Sequence, residues 1–159
     1  MIARLVGTVF GAGYLRPGPG TWGTLAALPL AWIFMQGGAL FFTVATAFVL
    51  PLGVWATRKM TDGHPEHDPS EIVIDELLGL WIALIPIAWG AQNAGVAVER
   101  LWPGWLAAFV LFRLFDIWKV GPVGWADRRN DVWGVMLDDA IAGVMAAVGV
   151  MILAALAHL

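Results

Sequence analysis

Five long apolar stretches dominate the chain, and each is separated from the next by glycine, proline or charged residues. They cover residues 24–36, 39–55, 77–91, 105–118 and 140–159. A membrane-spanning helix needs about 17–25 apolar residues, so the second and fifth stretches are long enough, and the others must borrow flanking turns. The pattern predicts an all-α membrane bundle of four to five hydrophobic helices. Gly37 and Gly38 predict a tight hairpin between the first two, and the first helix is either a full span or a re-entrant element.

Composition supports a membrane protein. Hydrophobic residues make up 60% of the 159 residues and charged residues 13%, about half the usual charged fraction. This excludes a disordered chain or a nucleic-acid binder and argues against a soluble enzyme. The absence of cysteine excludes disulfides, thiolate catalysis and Cys-ligated zinc. No linker interrupts the chain, so we expect a single domain over residues 1–159.

The distribution of charge predicts an orientation. With the N-terminus in the cytoplasm, eight of the nine basic residues lie on the inner face, and Arg100 alone lies outside. The positive-inside rule favours that arrangement. It sends three polar segments, 11–24, 57–76 and 113–139, to the cytoplasmic face, where we expect them to form one polar site.

Carboxylates gather in the second polar segment. Asp68 is expected to cap the start of a helix, and Glu71 is expected to complete a capping box with it. Glu71 and Asp75 then share a helix face, and Glu76 lies beside them. Carboxylates at a membrane boundary need compensation. A metal or catalytic role for Asp75 and Glu76 is therefore favoured over salt bridges to loop arginines.

The third polar segment contains two further groups. Arg113, Asp116 and Lys119 follow one another at helical spacing, which suits either a buried ion pair or a phosphate-binding fork. Asp138 and Asp139 open the last apolar helix, where the helix dipole explains one acid and a shared divalent cation explains both.

Two weaker features complete the candidates. Thr21 lies in a Gly/Pro-rich segment before a helix, where its hydroxyl and backbone N–H groups suit an anionic oxygen or form an ordinary turn. His64 and His67 lie in a loop, where solvation is favoured over metal binding, and His158 is terminal and is expected to be uninvolved.

Four motifs follow one another over most of the chain. They are Pro19-Gly20-Thr21-Trp22-Gly23-Thr24, Ile72-Val73-Ile74-Asp75-Glu76 with Gly79, Phe112-Arg113 through Asp116 and Lys119, and Met136 through Asp139 with Ala142-Gly143. In this order they resemble the phosphatidylglycerophosphatase A family. The sequence departs from the family pattern at Val120, where a proline is usual, and at residues 131–133, where a Gly-Gly pair is common.

The resemblance implies a Mg²⁺-dependent phosphatase of the bacterial inner membrane, with its active site facing the cytoplasm. Its substrate would be phosphatidylglycerophosphate, and its products phosphatidylglycerol and inorganic phosphate. On this hypothesis Thr21, Arg113 and Lys119 bind the phosphate. The catalytic set is Asp75, Glu76, Asp116, Asp138 and Asp139, and the metal ligands are Glu71, Asp75, Glu76, Asp138 and Asp139.

The nucleophile is then either a water molecule or one of the aspartates, which would form a phospho-aspartyl intermediate. Two other classes of protein compete with the enzyme. A small cation transporter would explain the acids, but not why they gather at one face with Arg113 and Lys119. A structural subunit would use the same groups as interfacial salt bridges. Besides the lipid substrate, the expected partner is the bilayer. No nucleic-acid partner is expected, and the sequence does not indicate how many subunits associate.

Overall fold

The computed structural model describes residues 1–63, 69–129 and 131–157. Within these ranges the chain is helical and has no strand. The predictions for His64, His67, Asp68 and His158 concern residues outside them. The described helices are α1 (Ile2–Gly7), α2 (Pro19–Met35), α3 (Ala39–Thr61), α4 (Ile74–Ala94), α5 (Trp102–Trp118), α6 (Pro122–Asp127) and α7 (Val132–Ala157), with short 3-10 helices at Ala12–Tyr14 and Val98–Leu101.

Four described stretches are long and apolar enough to cross a membrane. They are α3, α4, the continuous stretch Val98–Trp118 that contains α5, and α7. The predicted all-α bundle is confirmed, and the chain is a multi-pass membrane protein. The tight hairpin between α2 and α3 is also confirmed, because only Gln36, Gly37 and Gly38 separate the two helices, and Gly38 has a φ of +93° that favours glycine.

Helix α4 lies at the centre of the bundle. It packs against α2, α3, α5 and α7, and buried side chains recur along it from Ile74 to Ala91. Trp81 links α4 to α2 by a hydrogen bond, because its indole N–H donates to the Ala27 carbonyl at 3.0 Å. The rings of Phe34 and Phe42 lie 4.9 and 5.2 Å from the Trp81 ring.

A close helix contact joins α4 to α7 through two glycines. A Cβ built at Gly143 would lie 2.9 Å from the Gly79 Cα, and a Cβ built at Gly79 would lie 2.6 Å from the Asp139 carbonyl oxygen. Both distances are shorter than van der Waals contact, so only glycine allows this approach. Because Asp75 and Asp139 each precede their glycine by four residues, the contact brings these acids to the same end of two parallel helices.

The structure corrects the predicted starts of two helices. Helix α4 begins at Ile74 and Val73 provides no side-chain cap, so Glu71 lies before the helix, and the prediction that it shares a helix face with Asp75 is wrong. Instead, Glu71 lies in the preceding turn with its carbonyl against Gly13. The cap residue of the predicted capping box, Asp68, lies outside the described residues.

Helix α7 begins at Val132 and not at residue 140. Asp138 and Asp139 therefore lie in its second turn, and the prediction that capping explains one of them is wrong. Asp131 precedes the helix, and its Oδ1 accepts the Gly134 N–H at 2.7 Å, as an N-terminal capping residue does. Capping by Asp131 leaves Asp138 and Asp139 available for other contacts.

Replacing Gly143 by alanine should force α4 and α7 apart. We expect Gly143→Ala to lower the free energy of unfolding by about 1–3 kcal/mol, the usual cost of overpacking. Gly90→Ala on α4 is the matched control, because its nearest neighbour would be Leu101 Cδ1 at 3.7 Å. Denaturant unfolding in detergent micelles measures both variants, and equal stability of the two would contradict the tight α4–α7 contact.

Candidate active site

A group of three carboxylates lies where α4 and α7 meet. Asp75 and Glu76 occupy the first turn of α4 and Asp139 lies on α7. One carboxylate oxygen from each of these residues lies within 4.8 Å of the other two, and Asp75 and Asp139 are buried. We call Asp75, Glu76 and Asp139 the acid cluster. The structure thus brings together three of the predicted metal ligands from separate motifs.

The environment of Glu76 shows a need for a positive partner. Its Oε2 is buried and accepts no hydrogen bond from any described residue. Its Oε1 lies directly against Gly20, in the first turn of α2, where a Cβ would clash with the carboxylate. The N-terminus of α2 carries positive partial charge that favours this contact, but a buried carboxylate oxygen without a donor is still costly.

The acid cluster fits a divalent cation such as Mg²⁺. Mg²⁺ binds carboxylate oxygens at about 2.0–2.1 Å, which places oxygens on opposite sides of the ion about 4 Å apart. The three ligand oxygens of the cluster lie within 4.8 Å of one another, a spacing at which the three groups could hold one metal ion. A cation would also supply the missing partner of Glu76 Oε2, so the residues present fit the metal that the sequence predicts.

Arg113 and Asp116 form an ion pair beside the acid cluster. Arg113 Nη1 donates to Asp116 Oδ2 at 2.6 Å, and Nη2 donates to the Thr21 hydroxyl at 3.3 Å. Asp116 in turn interacts electrostatically with Glu76 and Asp139. The ion pair is one of the two alternatives that the helical spacing left open, the phosphate-binding role stays a prediction, and Arg113 joins α5 to the start of α2.

The charges at this site do not balance. Three carboxylates of the acid cluster and that of Asp116 face one guanidinium, which leaves a formal charge of −3 when all are ionised. Because this charge is partly buried, it repels itself unless cations or protons compensate it. The imbalance is a second reason for a divalent cation here.

Thr21 is hydrogen-bonded to Arg113 through its hydroxyl, while its N–H is bonded within the helix turn. Helix α2 begins at Pro19, so Thr21 lies within the first turn. The N–H groups of Thr21 and Trp22 both donate to the Gly18 carbonyl, at 3.0 and 3.3 Å. These two N–H groups are therefore already hydrogen-bonded within the turn, and the hydroxyl accepts from Arg113. The anion-binding role of the Thr21 segment stays a prediction.

Lys119 forms a second charged centre at the end of α5. It adopts a left-handed conformation with φ of +47°, and its ammonium contacts the carboxylates of Asp127 and, at 3.3 Å, Asp138. Burial by itself would lower the pKa of Lys119, but the hydrogen bonds and charges of the two acids outweigh it and raise the pKa. The ammonium therefore stays charged at neutral pH.

Asp138 and Asp139 point to different partners although they are adjacent in the chain. Consecutive helical residues are about 100° apart around the axis, so Asp138 faces Lys119 while Asp139 faces the acid cluster. Neither Asp138 nor Glu71 belongs to the described group of potential metal ligands. Their assignment as ligands stays a prediction.

The sequence analysis missed Asp127. This residue ends α6, the short helix between Lys119 and α7, and its carboxylate contacts the Lys119 ammonium, which Asp138 also contacts. The available indication was the Gly121-Pro122 pair, which starts a short helix after Lys119 and turns the chain back toward it. Only the fold shows that the turn ends with a carboxylate beside the lysine.

Comparisons with known proteins agree with the motifs. The sequence profile of the family described as Phosphatidylglycerophosphatase A matches residues 5–154. Proteins named Phosphatidylglycerophosphatase A are 35% identical over 147 residues in Haemophilus influenzae (91% of this chain, 84% of the relative) and 31% identical over 145 residues in Escherichia coli K12 (91% and 78%). A Bacteroides thetaiotaomicron protein named Putative phosphatidylinositol-3-phosphatase is 38% identical over 146 residues (88% and 86%). No solved structure matches the chain significantly.

Removing the carboxylate of Asp127 should release Lys119 without altering the acid cluster. If Lys119 binds a phosphate group, we expect Asp127→Asn to raise the KM of a phosphorylated lipid about tenfold, with a smaller effect on kcat. The Mg²⁺ concentration required for half-maximal activity should not change. Steady-state kinetics at varied lipid and Mg²⁺ concentrations measure both quantities, and an unchanged KM would exclude the positioning role of Asp127.

Proposed function

Because the chain belongs to the phosphatidylglycerophosphatase A family, we propose that it hydrolyses phosphatidylglycerophosphate to phosphatidylglycerol and inorganic phosphate. The chain is an enzyme of the phosphatase class. The observation that carries the substrate proposal is the acid cluster, with Arg113 and Lys119 beside it at one end of a membrane bundle. We also propose that residues 1–159 act as a single domain.

The cofactor in this proposal is Mg²⁺, held by Asp75, Glu76 and Asp139. Three carboxylates suit a hard cation that prefers oxygen ligands. When bound, the ion would neutralise charge on the phosphate oxygens and on the leaving oxygen. Asp138 and Glu71, which the sequence predicts as further ligands, are not among the three residues that hold the ion in this scheme. Glu71→Gln tests whether Glu71 is a ligand, because the loss of a ligand would raise the Mg²⁺ concentration needed for half-maximal activity.

Arg113 is placed to bind the phosphate and hold it for reaction. Asp116 and Thr21 each occupy one of its terminal nitrogens, which fixes the plane of the guanidinium while N–H groups remain for a second anion. Lys119, fixed between Asp127 and Asp138, adds a positive charge. These residues offset the dianion's charge, so that the phosphate can approach the acidic site.

Hydrolysis forms one P–O bond and breaks another. The attacking oxygen bonds to phosphorus as the bond to the glycerol oxygen breaks, and that oxygen leaves with a proton. The attacking group is water, or an aspartate carboxylate whose phosphoryl ester water then cleaves. Rapid quenching with labelled substrate separates the two routes, because only the second leaves label covalently on the protein.

The position of the site suits a lipid substrate. It lies at the ends of α4, α5 and α7, so a headgroup can reach the carboxylates while the acyl chains stay in the bilayer. The positive-inside distribution supports a cytoplasmic orientation of this end. We therefore propose that the enzyme acts at the cytoplasmic face of the bacterial inner membrane.

A second substrate comes from the comparisons. The relative named Putative phosphatidylinositol-3-phosphatase shares 38% identity, and its named substrate also carries a phosphate monoester on a lipid headgroup.

The transporter hypothesis has less support. Among the described residues, the buried ionisable groups are Asp75, Asp138 and Asp139 at one end of the bundle, and no chain of acids continues through it.

The test measures phosphate release from phosphatidylglycerophosphate in mixed micelles, with Mg²⁺ or with EDTA. We expect Asp139→Asn and Glu76→Gln to lower kcat about 100-fold or more, as loss of charge stabilisation in a transition state does. Asp62→Asn is the matched control, because Asp62 is an exposed acid outside the cluster.

The outcomes separate the parts of the proposal. Full activity in EDTA would exclude the metal, and full activity of Asp139→Asn would exclude the acid cluster as the site. Preferential hydrolysis of phosphatidylinositol 3-phosphate would replace the substrate while leaving a lipid phosphatase. No hydrolysis of either lipid by folded protein would contradict the activity proposed here.

A further inference from the structure

A groove of about 810 Å³ lies on the outside of the bundle, away from the acid cluster. It runs between the C-terminal half of α3 and the first turn of α7. Pro51, Val54, Trp55 and Arg58 line it from α3. Their spacing of i, i+3, i+4 and i+7 places them on one helix face, and Trp133 of α7 forms the opposite wall.

The cytoplasmic end of this groove is positively charged. Arg58 and Lys59 both line it and are exposed, and the exposed acid Asp62 lines it as well, so the two cations outnumber the one acid of the described lining. In the described part of the chain no acid forms an ion pair with either of them. A second cavity of about 520 Å³ shares Trp55 and Lys59 with the groove and adds Arg4. The charge at this end therefore favours an anion.

The surface of α3 next to the groove, on the side away from the cations, is apolar. Phe48 and Leu52 do not line the groove, but they lie about one turn before Pro51 and Trp55 on α3, and their relative exposures are 68% and 44%. Trp55 and Trp133, at 41% and 40%, lie between this apolar surface and the charged end, where tryptophan is typical of the headgroup layer. This order of apolar, aromatic and cationic groups matches acyl chain, glycerol backbone and phosphate of a phospholipid.

The groove is separate from the candidate active site. None of its lining residues belongs to the acid cluster or contacts Arg113 or Lys119. The packing of Gly53 of α3 against the Met136 side chain of α7 joins its two walls. A ligand in the groove would therefore contact two helices of the bundle without occupying the site of hydrolysis.

We propose that this groove binds one anionic phospholipid of the bilayer. Its phosphodiester lies between Arg58 and Lys59, its glycerol backbone lies between the two tryptophans, and one acyl chain follows Phe48 and Leu52. A zwitterionic lipid binds more weakly, because its headgroup amine faces the same two cations. The proposal concerns binding alone and does not rest on the phosphatase activity.

Native mass spectrometry of the delipidated, full-length protein tests the proposal. Dioleoyl-phosphatidylglycerol or dioleoyl-phosphatidylcholine is added back, and bound lipids are counted. We expect the wild type to retain one phosphatidylglycerol that the Arg58→Gln/Lys59→Gln variant binds at least about tenfold more weakly. The charge-preserving variant Arg58→Lys/Lys59→Arg should retain it.

The matched control is Arg16→Gln/Arg128→Gln, which removes the same charge from exposed residues outside the groove. It should bind phosphatidylglycerol like the wild type. Equal loss in the control and the groove variant would show general surface attraction and overturn the proposal. Equal retention of the two lipids by the wild type would do the same.

Size-exclusion profiles and circular dichroism establish that each variant is folded. If the double groove variant does not fold, Trp133→Ala replaces it, since that change removes a wall of the groove and leaves both cations. Retention of phosphatidylglycerol by folded Trp133→Ala at wild-type affinity would overturn the proposed binding mode. Failure of the activity assay with intact lipid retention would count against the proposed function alone.

Discussion

The close contact between Gly79 and Gly143 determines the rest of the structure. Two helices whose backbones touch at one level must also be close one turn earlier, and the residues there are Asp75 and Asp139. A side chain at either glycine would separate the helices and the carboxylates together. The fold therefore uses a small-residue contact, a common way to pack helices in a membrane, to force acids into proximity.

Carboxylates this close to one another repel, and the surrounding groups reduce this electrostatic repulsion only in part. The start of α2 offers partial positive charge to Glu76, and Arg113 neutralises one carboxylate. What remains is a concentrated negative charge at the edge of the membrane, with a buried oxygen of Glu76 that no described donor satisfies. A site of this kind is costly to the stability of the fold, and the cation and phosphate binding that we propose would account for it.

The sequence predicted the helices and the face on which the polar residues gather, because apolar length and basic-residue distribution are strong constraints in a bilayer. It did not predict where α4 and α7 begin. Polar residues such as Asp138 and Asp139 can lie inside a helix that begins before its apolar part, and hydrophobic patterning does not detect this. The pairing of α4 with α7, the contact of Gly20 with Glu76, and the position of Asp127 depend on tertiary packing, which one sequence does not encode as a local pattern.

The most direct measurement of the central claim is the effect of Mg²⁺ on thermal unfolding of the wild type and of Asp139→Asn in detergent. A ligand that binds only the folded state raises Tm in a saturable way. We predict a saturable rise for the wild type and for the Asp62→Asn control, and little or none for Asp139→Asn. The same rise in all three proteins would contradict a cation site formed by the α4–α7 contact.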